Sequence, residues 1–326
     1  MDHAVEEEEM ESKNKARNSF LLFLTACIWG MAFVSQSKGM DYMHPFTFNG
    51  ARALIGAFVL FLYLLATRLA AKEKARPIDW GITLRAGLWC GLALTAASTL
   101  QQFGIKYTTV GKAGFITTLY IIFVPIAGIF FKRKVSLVVW LCALMAAFGM
   151  YLLCMTESLA LSGGDLLVIL SAVIFAVHIL IIDHYASKTD GVIVSCIQFL
   201  ICGIFCGACS LIWGNPTLGQ LSDGMGTLLY AGVLSCGVAY TLQIVGQKGL
   251  NPTVAALILS LESVVATVSG WIAYEIGFLK TDQSLTPRQI AGCAIVFAAV
   301  LLVQLPSDWF CFFQNKNGKV AETNTK

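Results

Sequence analysis

The feature that most constrains this chain is an internal repeat. Residues 99–133 return as residues 241–275, 142 positions later and without a gap. Each copy is an apolar segment, a short polar break and a second apolar segment. The identical pairs are Thr99/Thr241, Leu100/Leu242, Gln101/Gln243, Gly104/Gly246, Lys106/Lys248, Ala113/Ala255, Ile116/Ile258, Leu119/Leu261 and Gly128/Gly270. Chance similarity between apolar helices would explain the Leu and Ala matches, but not the shared TLQ, Gly and Lys around the break. The sequence therefore predicts an internal duplication.

The composition places this duplication in a membrane. Hydrophobic residues make up 57% of the 326 residues and charged residues only 13%, whereas soluble domains are about 25% charged. A net charge of +3 gives no reason to expect nucleic acid as a partner. The 11 cysteines lie mostly in apolar runs without metal-ligand spacing, so reduced thiols are expected. The chain is predicted to be an all-α integral membrane protein.

Apolar segments near the length of about 20 residues that a bilayer requires occur ten times. The predicted transmembrane segments are residues 18–37, 46–67, 84–105, 109–131, 136–154, 164–183, 191–213, 226–247, 252–276 and 287–306. The acidic start of the chain is unlike a secretory signal, so the first segment is expected to be retained. This gives two five-helix repeats, 18–154 and 164–306, between a tail at 1–17 and a tail at 307–326.

The distribution of Lys and Arg predicts the orientation. With the N-terminus inside, only Lys38, Lys106, Lys112, Lys280 and Arg288 fall on the outer side, and nearly all the others fall on the cytoplasmic side. Both termini are therefore predicted to be cytoplasmic. Because five helices per repeat is an odd number, the second repeat must enter the membrane upside down. The first helices of the repeats align with a different shift, which sets Thr25 opposite Ser171 and Arg52 opposite Gln198.

Inverted repeats place a substrate site between the halves near the membrane midplane. Ionisable residues there are the first candidates, because each is unfavourable in the bilayer unless paired or hydrated. Glu262 is expected to bind a cationic group or a proton, or else to be a structural carboxylate bonded to Arg52, Ser260 or Ser263. Arg52 is expected either to attract an anionic group or to hold helices together.

Uncharged candidates complete the predicted cavity. Gln101 and Gln243 recur in both copies and are expected to line two vestibules or to bond to neighbouring backbone. Trp29, Tyr120 and Tyr240 are candidates for an aromatic wall, or for ordinary packing. His178, Asp183 and His184 do not share one helix face, which argues against a metal site. No catalytic residue, metal or cofactor is predicted.

Several motifs in order resemble the drug/metabolite transporter superfamily, specifically proteins with two EamA domains. They are the WG-x-x-F of the first segment (Trp29, Gly30, Phe33), Pro45 and Arg52 opening the second, the A-x-F-I-T-x-L-Y pattern up to Pro125, and Gly164-Asp165. The resemblance covers about residues 18–306. It implies a basket of ten helices whose third, fourth, eighth and ninth members line a central cavity. It also implies secondary transport, ion-coupled or by exchange, that exports a small metabolite such as an amino acid or drug.

Two other classes of function compete with transport. An intramembrane enzyme would need paired carboxylates, a Ser/His pair or a metal set, and neither HExxH nor GxSxG occurs. A membrane scaffold would need neither mid-helix charges nor an inverted repeat. Without a Walker motif, ATP is not expected to drive the chain directly. The expected protein is a plasma-membrane transporter, monomeric or homodimeric, whose partners are lipid, a small solute and, if transport is proton-coupled, protons.

Overall fold

A computed structural model describes residues 2–70, 78–130, 135–154 and 162–303. Within these ranges the chain is helical and contains no strand. The helices are α1 (Asp2–Gly39), α2 (Pro45–Ala70), α3 (Trp80–Ile105), α4 (Val110–Thr118 and Tyr120–Phe130), α5 (Leu137–Cys154), α6 (Gly163–Tyr185), α7 (Gly191–Gly214), α8 (Met225–Gly246), α9 (Pro252–Glu275) and α10 (Pro287–Val303). A short helix, Leu218–Asp223, precedes α8.

Seven of the described helices, α1, α2, α4 and α6 to α9, contain stretches long and apolar enough to cross a membrane. Two more, α5 and α10, contain shorter apolar stretches, Leu137–Leu152 and Pro287–Val303. The all-helical membrane architecture is thus confirmed, while the count of ten membrane crossings remains a prediction. Helix α1 begins at Asp2, so most of the predicted N-terminal tail is helical. The predicted C-terminal tail lies outside the described residues.

The helix contacts repeat when the two halves are exchanged. Helix α1 packs on α8 and α9, and its counterpart α6 packs on α3 and α4. Helix α2 contacts α8, as its counterpart α7 contacts α3. The remaining large contacts join counterparts directly: α2 with α7, α4 with α9, and α5 with α10. The packing is therefore two-fold symmetric at the level of helix pairs.

Matched glycines show the same relation at residue level. Gly104 of α3 lies against Gly164 and Val168 of α6, so closely that a Cβ there would lie 2.7 Å from the Gly164 carbonyl oxygen. Its repeat partner Gly246 lies against Asn18 and Leu22 of α1, which are the aligned counterparts of Gly164 and Val168. Glycine is needed at both positions because the backbones approach directly.

Both α4 and α9 are broken at nearly the same place in the repeat, at Leu119 and at Ser260, the counterpart of Thr118. Helix α4 consists of Val110–Thr118 and Tyr120–Phe130, and α9 of Pro252–Leu259 and Leu261–Glu275. At the breaks, Thr118 Oγ1 donates to the carbonyl of Phe115 over 2.8 Å, and Ser260 Oγ donates to that of Leu257 over 2.7 Å. A hydroxyl that bonds to a backbone carbonyl three residues earlier competes with regular helical bonding.

Helices α3 and α8 differ although they occupy equivalent places. Helix α3 is α-helical from Trp80 to Ile105. Helix α8 contains a π-helical stretch, Tyr230–Ala239, between α-helical ends. Wide turns with i→i+5 bonding are rare and often occur at functional sites. Here the stretch ends immediately before Tyr240.

Candidate functional site

A cavity lies between the two halves and encloses about 360 Å³ of empty space, its open side included. Its lining residues come from seven helices: Trp29, Phe33 and Gln36 of α1, Arg52 of α2, Gln101 of α3, Thr117 and Tyr120 of α4, Phe175 of α6, Ser235 and Tyr240 of α8, and Glu262 of α9. The structure thus brings six of the seven sequence candidates together; Gln243 is not among the lining residues.

At the centre, Tyr120 Oη donates a hydrogen bond of 3.0 Å to Glu262 Oε1. Tyr120 is the first residue after the break in α4 and Glu262 the second residue after the break in α9, and both side chains line the cavity. They are also repeat counterparts, 142 positions apart. Since the two-fold relation maps each residue onto the other, the axis relating the halves passes near this hydrogen bond.

Glu262 does not use the structural partners considered from the sequence. Its side chain is buried, and among the described residues it forms no ion pair. Ser260 Oγ and Ser263 Oγ donate to backbone carbonyls rather than to the carboxylate. Tyr120 is therefore its hydrogen-bond donor in the described part of the chain, and a buried carboxylate with one neutral donor retains capacity for a cation or proton.

Arg52 is buried on the same cavity. Its guanidinium carbon lies 5.5 Å from the centre of the Phe48 ring, a cation–π contact within α2. Within the described ranges no carboxylate lies within 4 Å of it. A buried guanidinium without a carboxylate partner is suited to an anionic group.

Aromatic rings form one wall of the cavity. Trp29 and Tyr240 lie with ring centroids 4.5 Å apart, and Tyr240 also contacts Phe199 at 5.1 Å and His178 at 6.1 Å. The indole nitrogen of Trp29 is buried and has no hydrogen-bond partner among the described residues. The wall therefore offers apolar faces and one unused donor.

The two repeated glutamines lie in different surroundings. Gln101 Nε2 donates to Thr117 Oγ1 over 3.0 Å on the cavity wall. Gln243 is 1% exposed, and its Oε1 has no hydrogen-bond partner in the described part of the chain. Gln101 therefore lines the cavity in this conformation and Gln243 does not, while the vestibule role of both remains a prediction.

Sequence reasoning missed Gln36, Thr117, Phe33, Phe175 and Ser235 as lining residues. A signal existed for two of them, because Phe33 and Gln36 follow Trp29 at i+4 and i+7 and so share its helix face. The other three are small or apolar residues that look like ordinary helix packing. Within the described ranges, no group of three or more His, Cys, Asp or Glu side chains is placed to hold a metal ion.

Comparison with known proteins identifies a family of transporters that matches this chain. The EamA-like transporter family model matches residues 17–155 and 162–305, nearly the whole chain in two copies. An "uncharacterized transporter" of Archaeoglobus fulgidus is 30% identical over 87% of this chain and 84% of its own length. The uncharacterized transporter YwfM of Bacillus subtilis is 26% identical over 87% of this chain and 93% of its own.

More distant relatives extend the likeness. The WAT1-related protein At3g02690, chloroplastic, of Arabidopsis thaliana is 24% identical over 85% of this chain and 67% of its own length. One solved crystal structure superposes with a TM-score of 0.68 over 88% of this chain and 96% of that one, at 16% identity, which shows a shared fold. The family and the relatives' names point to transport rather than to enzymatic activity. The chain is a multi-pass membrane protein that belongs to the EamA-like transporter family, within the drug/metabolite transporter superfamily.

Proposed function

We propose that this protein is a secondary transporter that moves a small metabolite by alternating access between two inverted repeats. One observation supports this above the others: Tyr120 and Glu262, repeat counterparts, meet inside the cavity. A site on the two-fold axis keeps its central contact when the halves exchange their arrangements, so it can face either side of the membrane in turn.

The cavity supports a division of roles among its residues. Glu262 receives a cationic group of the solute or a coupling proton, with Tyr120 fixing its carboxylate. Arg52 attracts an anionic group, and Trp29 and Tyr240 pack against the apolar part. A small amphipathic metabolite, such as an amino acid or a drug-like compound, fits this combination of opposite charges and aromatic faces.

The orientation predicted by Lys and Arg places both termini in the cytoplasm. The proposal further includes a plasma-membrane location, a monomer or homodimer, and export of the solute in exchange or coupled to an ion gradient. The energy source is thus an existing gradient across the membrane.

A thermal-shift screen of the purified protein tests this proposal. Amino acids, polyamines, nucleosides and cationic dyes are added separately, because a ligand of the folded state raises the unfolding midpoint by mass action. A hit should then be tested for counterflow in proteoliposomes, with Glu262→Gln and the lipid-facing variant Tyr63→Phe (Tyr63 is 56% exposed) in parallel. Counterflow that is lost only in Glu262→Gln supports transport through this cavity. A chain that no solute stabilises and that moves none would instead favour the scaffold.

A further inference from the structure

A second group of polar side chains is buried beside the cavity, behind Tyr240. His178 of α6 is one turn beyond the lining residue Phe175, and its Nε2 donates to Gln198 Oε1 of α7 over 3.0 Å. The His178 ring packs edge-on against Tyr240. Gln243 follows Tyr240 on α8 by three residues and so lies on a similar helix face.

Each member of this group has an unused polar atom. His178 Nδ1, Gln198 Nε2 and Gln243 Oε1 are buried and have no hydrogen-bond partner within the described ranges. The three residues are at most 1% exposed. Buried polar groups in native proteins are almost always paired. These three are among nine unpaired side-chain atoms in the described residues, and they lie on the three helices around Tyr240.

The repeat supplies an explanation for these three unpaired atoms. Gln198 and Gln243 are the counterparts of Arg52 and Gln101, which line the open cavity. In the other state of alternating access, each half would adopt the arrangement that the other half has here. The surface with Gln198 and Gln243, which is closed here, would then be open in the way that the surface with Arg52 and Gln101 is open here. The unpaired atoms are then the lining of the cavity in its other state.

We propose that His178, Gln198 and Gln243 form a second binding site, the counterpart of the Arg52–Gln101 face, which a solute reaches when Tyr240 moves aside. The proposal rests on the alternating access proposed above and adds residues to it. Gln198 offers a donor, Gln243 an acceptor and His178 a ring nitrogen, so the site takes a small solute with both hydrogen-bond donors and acceptors. Since Gln198 replaces Arg52, an anionic group is bound less tightly on this face.

The test uses diethyl pyrocarbonate, which modifies accessible histidines, on the full chain in nanodiscs, with peptide mass spectrometry to resolve each histidine. His184, exposed at the end of α6, is the internal reference. In the native protein His178 should react at a measurable rate, at least tenfold slower than His184. Tyr240→Ala should raise the rate at His178 about tenfold, because the ring that covers it is removed.

A matched pair of substitutions locates the path of the reagent. Gln243→Trp fills the proposed path and should slow modification of His178 severalfold, whereas Gln101→Trp, at the repeat counterpart, should not slow it. The unfolding midpoints of all variants identify any that misfold. The rate at which His178 is modified in the native protein needs no variant and is therefore independent of such misfolding. The proposal is overturned if His178 stays unmodified in both the native protein and Tyr240→Ala after His184 has reacted fully. Equal slowing by Gln101→Trp and Gln243→Trp would overturn it as well.

This experiment needs no identified solute, so its outcome is separable from that of the proposed function. A protein that transports nothing but exposes His178 along the Gln243 path would refute transport and leave the second site standing. A proven transporter whose His178 is never reached would do the opposite.

Discussion

Tyr120 and Glu262 stand at the same position of two repeats, and the phenol of one donates to the carboxylate of the other over 3.0 Å. A contact between counterparts is possible only close to the axis that relates the halves. The same two positions follow the breaks of α4 and α9. The most symmetric point of the backbone is therefore also chemically asymmetric, with a phenol on one side and an acid on the other.

Glu262→Gln should lower transport about 10- to 100-fold, which corresponds to the loss of one charge-assisted interaction of about 1.5–3 kcal/mol. It should also flatten the pH dependence of transport, while expression stays normal. Tyr120→Phe is the matched control, because it removes the hydrogen bond but keeps the acid, and so retains the pH response. Proteoliposome uptake at several pH values measures both. A fully active Glu262→Gln protein with the native pH response would remove this residue from the mechanism.

Arg52→Gln places in α2 the residue that its counterpart carries at Gln198. We expect normal expression, because among the described residues the guanidinium has no carboxylate partner whose charge would be left unpaired. The apparent affinity for a solute with an anionic group should fall about tenfold, and that for a solute without one should be unchanged. Thermal-shift titration with paired solutes measures the difference. Loss of the folded protein in Arg52→Gln would instead show that the residue holds helices together.

Gly30→Ala should impair both folding and transport. A Cβ at Gly30 would lie 2.8 Å from the backbone oxygen of Glu262 and clash with Val265, so α1 and α9 would have to separate at the cavity. We expect a loss of about 1–3 kcal/mol, as for other overpacked positions. Gly163→Ala, where a Cβ would meet nothing within 4 Å, is the control and should be neutral or slightly stabilising. Equal unfolding midpoints for the two variants would contradict the close packing of α1 on α9.

Asp165→Asn should destabilise the protein by about 1–3 kcal/mol. The Asp165 side chain is fully buried; its Oδ2 lies 2.7 Å from Lys112 Nζ, and its Oδ1 accepts a hydrogen bond from Thr108. Because Lys112 and Asp165 belong to different halves, the ion pair links the two repeats. Asp190→Asn changes only an exposed helix cap and should cost less. The unfolding midpoints of the two variants in one detergent provide the comparison, and equal losses would show that the ion pair adds nothing.

Acidic pH should lower the stability of the folded protein because His44, next to the start of α2, becomes protonated. Partial burial, with the nearby charge of Lys106 adding to it, lowers the pKa of His44 from its ordinary value near 6.5. The folded state then binds fewer protons than the unfolded state, so stability falls as the pH drops below about 6.5. Protonation would also remove the acceptor that His44 Nδ1 offers to the Phe46 amide.

His44→Asn keeps an acceptor for that amide but does not titrate. The fall in unfolding midpoint between pH 7.5 and 5.5 should therefore be smaller in His44→Asn than in the native protein. His184→Asn, at an exposed position, controls for the loss of any histidine. A pH response that is the same in all three proteins would rule out His44 as the source.

The sequence pointed to cavity residues where a charged side chain occurs within an apolar segment. Glu262 and Arg52 are conspicuous because charges are unfavourable in apolar helices, and the repeat made Gln101 visible. Thr117 and Ser235 gave no such signal, because hydroxyl residues occur throughout membrane helices. The roles of all these residues remain predictions.

Gln243 shows the limit of reasoning from the repeat. Equivalence in sequence predicted equivalent surroundings for Gln101 and Gln243, but a single conformation can open only one of two symmetric faces. The breaks in α4 and α9 could not be predicted either, because they depend on how Thr118 and Ser260 bond to the backbone.

The π-helical stretch of α8 gives the two halves different mechanical properties. Its wide turns, Tyr230–Ala239, contain more chain per turn than the α-helical backbone of α3, and Tyr240 begins where they end. Re-pairing amides there from i→i+5 to i→i+4 would swing Tyr240 while both ends of the helix stay anchored. Helix α8 therefore contains extra chain length that such re-pairing can release, whereas α3, which is α-helical throughout, contains none.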